Sequence, residues 1–161
     1  MMSDTDVATI TTPLGICEIQ GSEQGISKVS ILNDAVEVTE HIPQSLQACV
    51  SQLQDYFNGT RKDFDLTFDL QGTQFQKKVW MSLLNIPFGC TTTYLQQARL
   101  LGDEKAIRAV ASANGKNPIW VILPCHRVVG SDGSLTGYAG GLWRKKWLLE
   151  HEQGCKQQRL F

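Results

Sequence analysis

The fold of the second half of the chain is decided by residues 94–115, which read YLQQARLLGDEKAIRAVASANG. Apolar side chains recur there at helical spacing on both sides of a short polar interruption. Gly102 ends a first predicted helix over residues 94–101. Asp103 caps a second helix over residues 104–113, because its carboxylate can accept hydrogen bonds from free first-turn amides. Two short helices joined by a tight turn containing glycine predict a helix-turn-helix.

The flanking segments extend this helical half. Thr73 is positioned to cap a helix over residues 74–84, whose predicted inward face consists of Phe75, Val79 and Leu83. Residues 119–123 are all apolar and lie between two prolines, which predicts a buried strand. A turn is predicted at residues 130–133. A final helix carries the last apolar cluster, Trp143, Trp147, Leu148 and Leu149.

The first half has a different pattern. Residues 7–38 alternate apolar and polar side chains with glycine breaks, which predicts three short antiparallel strands. Apolar residues at helical spacing between Pro43 and Gly59 predict one helix. Residues 64–70 alternate strictly and predict a further strand or an extended segment, followed by a polar break. The sequence therefore predicts an α+β fold with two domains, over residues 1–72 and 73–161.

Charge is divided unequally between the two halves. Residues 1–70 carry three basic and eleven acidic side chains, a net charge of −8, whereas residues 71–161 carry twelve basic and five acidic ones, a net charge of +7. This asymmetry predicts that the basic second half faces nucleic acid, although charges distributed over a solvated surface without a partner fit the counts equally well. No stretch approaches the roughly 18 apolar residues of a membrane span. The polar, acidic N-terminus is unlike a secretory signal, so a cytoplasmic protein is predicted.

The five cysteines form an odd set without a close pair. This argues against a disulfide framework and against CxxC motifs. Cys17, Cys49 and Cys90 are predicted to be small buried residues, and Cys155 an exposed one in a polar tail. A zinc site built from Cys17, His41 and Cys49 would have ligands too scattered along the chain, so no metal is expected.

The most reactive candidate is Cys125, in the run PCHR at residues 124–127. A free thiol has a pKa of about 8.5, so an attacking thiolate needs a base or a positive charge nearby. Neighbouring side chains on a regular strand point apart, so contact with His126 requires a water or the irregular backbone that Pro124 favours. A Cys-His dipeptide alone is more typical of a buried core. The carboxylates that could orient His126 in the basic half are Asp103, Glu104, Asp132, Glu150 and Glu152.

Three motifs give this dipeptide a context: PCHRVV at residues 124–129, GYAGGL at 137–142 and KWLLEHE at 146–152. Together they resemble the O6-alkylguanine-DNA alkyltransferases, in their bacterial form without an added transcription-factor module. The resemblance is dense over residues 73–152 and looser over the first 70. It implies a ribonuclease H-like scaffold in the N-terminal domain and a mainly helical, winged helix-turn-helix-like alkyltransferase domain after it.

The resemblance also implies a chemistry. Cys125 attacks the alkyl carbon on guanine O6 and keeps the group, so each molecule reacts once and no cofactor is needed. His126 acts as the base through a water, and Glu152 orients it. Tyr94 protonates the departing guanine. The partner implied is double-stranded DNA containing alkylated guanine, with no membrane and with the protein acting as a monomer; O4-alkylthymine is a second substrate to be tested.

Guanine O6 lies inside the duplex, so the nucleotide must be rotated out of the stack. The resemblance makes Arg108 the side chain that enters the vacated space. Small residues would let the same helix approach the minor groove: Ala106, Ala109, Ala113 and Gly115. The residues implied for the base pocket are Asn117, Val128, Tyr138 and Ala139. Some family members carry serine where this chain has Ala139, which leaves the preferred alkyl size open.

Two other functions fit parts of the pattern. A cysteine hydrolase also uses Cys, His and a carboxylate, but it needs an oxyanion hole and leaves the basic helix-turn-helix unexplained. A non-catalytic sensor of DNA damage is the second alternative. Relatives of that kind replace the acceptor cysteine, whereas Cys125 is present here.

Overall fold

The computed structural model describes residues 5–158, with side chains described up to residue 154. It divides into two compact units. The first extends to Gln71 and also includes Pro118–Trp120, and the second comprises Gly72–Asn117 and the chain from Val121 onward. Within the described part of the chain, no helix is long and apolar enough to cross a membrane.

The first unit is a small antiparallel sheet covered by one helix. Its strands β1 (Asp6–Thr12), β2 (Gly15–Ser22) and β3 (Gly25–Ile31) pair in sequence order. Helix α1 (Gln44–Phe57) packs against β1 and β2. The apolar face of α1 consists of Leu46, Cys49, Val50, Leu53 and Tyr56. The strands and the helix predicted from hydrophobic periodicity are confirmed.

Residues 64–70 are extended but form only one bridge, between Phe68 and Ile26. The amide of Ile26 donates to Thr67 O at 2.8 Å, and the amide of Asp69 donates to Ile26 O at 2.8 Å. The segment is therefore the extended alternative of the two that its alternation allowed.

The second unit is mainly helical. It contains α2 (Gln74–Ser82), a short strand β4 (Thr92–Thr93), α3 (Tyr94–Leu100) and α4 (Ile107–Gly115). A second short strand, β5 (Val128–Val129), pairs in parallel with β4, and α5 (Leu142–Gln158) follows. The core between α2, α3 and α4 consists of Val79, Ala98, Val110 and Ala113. The predicted α+β class and the helical second half are confirmed.

The predicted helix-turn-helix is formed by α3 and α4. Leu101 and Gly102 end α3, and Gly102 has a positive φ of 93°. The Asp103 side chain accepts a hydrogen bond from the amide of Lys105 at 3.0 Å, as expected of a cap. The second helix differs from the prediction at its start, because Glu104–Ala106 form a 3₁₀ turn before α4 begins.

The predicted strand over residues 119–123 is wrong. Ile119 makes a single parallel bridge with Val29, and Val121 then adopts a φ of 73°, which breaks any extended run. The segment is nevertheless buried, with Ile119, Val121, Ile122 and Leu123 at most 2% exposed. A fully buried apolar run has no alternation, so its pattern establishes burial and leaves the backbone conformation open.

The start of α2 contains the predicted cap in reciprocal form. Thr73 Oγ1 accepts from the amide of Gln76 at 3.0 Å, and Gln76 Oε1 accepts from the amide of Thr73 at 3.0 Å. This capping box satisfies two backbone amides that lack helical partners. Val79 and Leu83 are buried as predicted, but Phe75 is 40% exposed, so it does not lie on the inward face.

We expect Thr73→Ala to lower the free energy of unfolding by about 1 kcal/mol, since it removes one side of the capping box. Chemical denaturation of the full chain measures the change. Gln74→Ala, at an exposed position of the same first turn, serves as the matched control and should change the stability by less than about 0.5 kcal/mol. Equal losses in both variants would contradict a specific role for the cap.

Candidate active site

The backbone at Cys125 is irregular, as Pro124 led us to expect. Pro124 has φ −82° and ψ 64°, and the amide of Cys125 donates to Leu123 O at 2.8 Å, which together define an inverse γ-turn. Cys125–Arg127 then form a 3₁₀ turn that leads into β5. The predicted separation of neighbouring side chains on a strand therefore does not apply to Cys125 and His126.

Beside the acceptor candidate lies a buried carboxylate with several donors. Glu152, on α5, accepts from His126 Nε2 at 2.7 Å on Oε2 and from the amide of Gly89 at 3.3 Å on Oε1. Arg127 donates to both oxygens, from Nε at 2.8 Å and from Nη2 at 3.1 Å. Of the five carboxylates that could orient the histidine, the structure brings Glu152 to it.

The contacts of Arg127 extend to a neighbouring loop. Its Nη1 donates to Ile86 O at 2.6 Å, and its guanidinium carbon lies 5.7 Å from the centroid of the Phe88 ring. These contacts give Arg127 a structural role, because they tie the 3₁₀ turn to this loop.

The protonation states of the buried pair follow from these contacts. Burial favours the neutral acid, but His126 and Arg127 hold the pKa of Glu152 well below its usual range. Burial lowers the pKa of His126, against the opposing effect of Glu152. The imidazole is therefore neutral and donates through Nε2 to the carboxylate. Its Nδ1, which has no protein hydrogen-bond partner among the described residues, is left as the basic atom.

Cys125 itself is 8% exposed. Burial raises the pKa of its thiol, whereas a hydrogen bond from the side chain of Asn117 and the charge of Lys145 lower it. The Asn117 side chain also donates to Leu123 O at 2.7 Å, which ties it to the turn before the cysteine. Asn117 therefore both positions the turn and favours the thiolate.

Lys145 is the residue of this site that sequence reasoning missed. It is fully buried on α5, and its Nζ donates to Thr136 O at 2.8 Å. In the sequence it stands between two other basic residues and so looks like part of a charged surface. Its spacing from Leu148 and Glu152, three and seven positions, was the available signal, because these spacings place all three on one helix face.

Tyr94 and Lys145 converge on the same carbonyl. The hydroxyl of Tyr94 donates to Thr136 O at 3.2 Å, and Lys145 Nζ lies 5.8 Å from the centroid of the Tyr94 ring. Burial raises the pKa of Tyr94, the hydrogen bond to Thr136 opposes this, and nearby Cys125 adds to it. The phenol is therefore protonated and lies close to the acceptor cysteine.

The predicted base-pocket residues separate into two groups. Tyr138 is half-buried and Ala139 is exposed, both in the loop before α5, and a Cβ on nearby Gly137 would lie 3.9 Å from the Tyr94 hydroxyl. Val128 is fully buried in β5, so its side chain cannot line an open pocket. The Val128 side chain therefore belongs to the core beside the site and is removed from the predicted pocket lining.

The predicted DNA-facing residues of α4 also separate. Arg108, Ala109 and Gly115 are exposed. Ala113, at 3% exposure, belongs to the core between the helices, and Ala106 is partly buried against that core. Ala113 is therefore removed from the predicted DNA surface, because the helical periodicity turns it inward.

The remaining cysteines lie elsewhere. Cys17 and Cys49 are buried as predicted, whereas Cys90 is only half-buried and lines a groove of about 660 Å³ between α2 and α3 that does not include Cys125. The side chain of Cys155 lies outside the described residues. Across residues 5–154, no group of three His, Cys, Asp or Glu side chains is arranged to hold a metal.

Two family models match this chain. The ribonuclease-like domain of 6-O-methylguanine DNA methyltransferase matches residues 7–70, and the DNA binding domain of the same family matches residues 74–154. The ribonuclease-like scaffold that the motifs implied is therefore confirmed.

Known proteins resemble the chain over nearly its whole length. The methylated-DNA–protein-cysteine methyltransferase of Mycobacterium tuberculosis H37Rv is 42% identical over 149 residues, 90% of each chain. The crystal structure of the M. tuberculosis O6-methylguanine methyltransferase superposes with a TM-score of 0.84, at 41% identity over 94% of each chain. M. tuberculosis OGT in complex with DNA gives a TM-score of 0.82, at 42% identity over 91% of this chain and 92% of that one. The chain belongs to the 6-O-methylguanine DNA methyltransferase family, the methylated-DNA–protein-cysteine methyltransferases.

Proposed function

We propose that Cys125 accepts the alkyl group when this methyltransferase repairs O6-alkylguanine in DNA. The observation that carries the assignment is the surroundings of the sulfur. Among the four cysteines whose side chains are described, Cys125 is the one whose thiol meets a buried lysine charge and an amide donor and follows directly on the Asn117–Leu123 turn. Burial instead raises the pKa of Cys17 above its usual range and that of Cys49 to about 12, so both stay protonated and inert.

The transfer begins with loss of the thiol proton. The basic Nδ1 of His126 takes it through a bridging water, and the resulting imidazolium is stabilised by the Glu152 carboxylate on Nε2. Asn117 and Lys145 stabilise the thiolate at the same time. The sulfur then forms a bond to the alkyl carbon while the bond from that carbon to guanine O6 breaks, and the electron pair stays on guanine.

Guanine leaves more easily when it is protonated. We assign that proton to Tyr94, whose raised pKa keeps the phenol protonated until the base arrives. In the free protein the hydroxyl donates to Thr136 O, so it exchanges this partner for the base. The product is a thioether on Cys125, which has no easy leaving group, so each molecule reacts once.

The damaged nucleotide reaches Cys125 by leaving the duplex. Arg108, with Ala109 and Gly115 exposed on the same helix, is assigned to the DNA surface, where its side chain fills the space in the stack. Tyr138 and Ala139 are assigned to the wall of the base pocket.

The partner we propose is double-stranded DNA with an alkylated guanine, bound by a monomer in the cytoplasm. Residues 73–161 carry DNA binding and alkyl transfer, and residues 1–72 act as the scaffold.

Incubation with duplex DNA containing O6-methylguanine should add one methyl mass to the peptide that contains Cys125, to a limit of one per protein molecule. Mass spectrometry of the digested protein measures it. Cys125→Ser should abolish the label, whereas Cys90→Ser, at a half-buried cysteine away from the site, should retain it. Turnover beyond one equivalent would favour a hydrolase, and a label on another cysteine would contradict the assignment.

Lys145→Met should raise the pKa of the Cys125 thiol, since it removes a buried positive charge that favours the thiolate. We expect alkylation by a small thiol reagent to slow by roughly tenfold near neutral pH and to recover as the pH rises. Rates measured across a pH series test this. Lys146→Met, at the exposed neighbouring position, is the matched control and should leave the pH profile unchanged. A profile that did not move in Lys145→Met would exclude the electrostatic role.

Arg108→Ala should slow methyl transfer from duplex DNA by roughly tenfold, the loss of one charge-assisted contact. Transfer from a free O6-alkylguanine base needs no flipping and should be unaffected. Arg61→Ala, in the acidic half of the chain, is the control and should change neither rate. Equal losses on both substrates in Arg108→Ala would contradict a role in flipping.

A further inference from the structure

An exposed aromatic side chain lies beside a cation at the start of α5. Trp143 is 56% exposed, and the neighbouring Leu142 is 50% exposed. The guanidinium carbon of Arg144 lies 4.7 Å from the centroid of a Trp143 ring. The Lys146 side chain is 67% exposed. We call the surface formed by Trp143, Arg144 and Lys146 the Trp143 platform.

The platform is held in place from the loop that precedes it. Arg144 Nη1 donates to Gly140 O at 3.1 Å, which fixes the guanidinium beside the indole. Gly141 has a φ of 92°, and a Cβ at that position would lie 3.6 Å from Trp143 Cδ1. The indole therefore lies close to the backbone of the loop.

The charge of Lys146 is only weakly compensated. Its Nζ lies 3.9 Å from Glu150, and both side chains are about two-thirds exposed. Ion pairs of this kind contribute little, because water and salt screen them. Lys146 can therefore exchange this partner for a phosphate.

The platform shares its turn of α5 with a buried cation. Lys145, between Arg144 and Lys146 in the chain, is buried, and its charge acts on Cys125. The loop at Gly140 and Gly141 is the one to which Tyr138 and Ala139 belong. A nucleic acid whose base contacted this loop would approach the turn of α5 that carries the platform, because Arg144 is hydrogen-bonded to Gly140 of the same loop.

We propose that the Trp143 platform binds the DNA strand next to the extruded nucleotide. The indole stacks on an adjacent base or sugar, and Lys146 neutralises a flanking phosphate. This inference rests on the proposed function, in which the DNA delivers its damaged base to Cys125. It adds a DNA contact on α5 that is separate from those assigned to α4.

The chemistry of the platform favours DNA over a protein partner. A single exposed tryptophan is common on proteins and needs no partner by itself. Here it lies against Arg144 and three positions from Lys146 on one helix, in a half of the chain with a net charge of +7, which suits a polyanion. Stacking on an aromatic ring tolerates every base, which suits a repair protein that meets damage in any sequence context.

The test compares two substrates and two measurements. Binding to a fluorescent duplex containing O6-methylguanine is measured by anisotropy in a Cys125→Ser background, and transfer rates are measured with Cys125 intact. We expect Trp143→Ala to weaken duplex binding by about tenfold, and Trp143→Phe to recover most of the loss. Phe75→Ala, at an exposed aromatic residue of α2, is the matched control and should leave binding unchanged.

The phosphate contact is tested by salt. Lys146→Ala should lower the slope of log affinity against log salt concentration by about 0.9, the value for one phosphate contact. Lys28→Ala, in the acidic half, should leave the slope unchanged. An unchanged slope in Lys146→Ala would overturn its contact with phosphate.

The free O6-alkylguanine base separates this proposal from the function on which it rests. If Trp143→Ala slows transfer from duplex but not from the free base, the platform is supported. Equal losses on both substrates would make Trp143 a structural residue, and a changed oligomeric state in sedimentation with normal duplex binding would make it a protein interface. Either result would overturn the proposal. Failure of the unmutated protein to react with either substrate would overturn the proposed function itself.

Discussion

A buried carboxylate organises the reactive part of this protein. Glu152 is 1% exposed, and such a charge is costly unless donors surround it. Its donors come from two separate parts of the chain, the 3₁₀ turn that carries His126 and Arg127 and the loop at Gly89. The side-chain amide of Gln153, the next residue of α5, donates to Gly89 O at 2.6 Å and so ties the same loop to the helix. The cost of leaving the carboxylate unpaired therefore fixes the turn, the loop and the helix relative to one another within the second unit.

This arrangement determines the protonation states of the residues that follow. Because Glu152 stays ionised, His126 donates through Nε2 and its other nitrogen is available as a base. A second coupling links Cys125 and Lys145. Burial lowers the pKa of Lys145 and raises that of Cys125, whereas each charge stabilises the other. The thiol is therefore ionised more readily while Lys145 is charged.

The sequence predicts the elements with clear periodicity, because apolar residues recur at a different spacing in an amphipathic strand and in an amphipathic helix. The three strands, α1, the Thr73 cap and the helix-turn-helix are of this kind. Periodicity fails where burial is complete, as at residues 119–123, where the apolar run hides the left-handed turn at Val121. It also fails for Lys145, since a buried lysine is recognised by its partners, here Thr136 and Cys125, both of which lie outside α5. Ala113 differs from its prediction for a related reason, because small residues fit a core and a groove equally well.

The same set of groups would serve a cysteine hydrolase, so the difference between the two activities has to lie in the bond that is attacked. A hydrolase forms a thioester, whose carbonyl carbon water can attack to release the enzyme. Attack on the saturated carbon of an alkyl group gives a thioether, which offers water no carbonyl and no stabilised leaving group. His126 and Glu152 can therefore activate Cys125 but cannot regenerate it. A protein consumed by its own reaction is wasted when its cysteine reacts with any other electrophile. The burial that raises the pKa of Cys125 limits such side reactions.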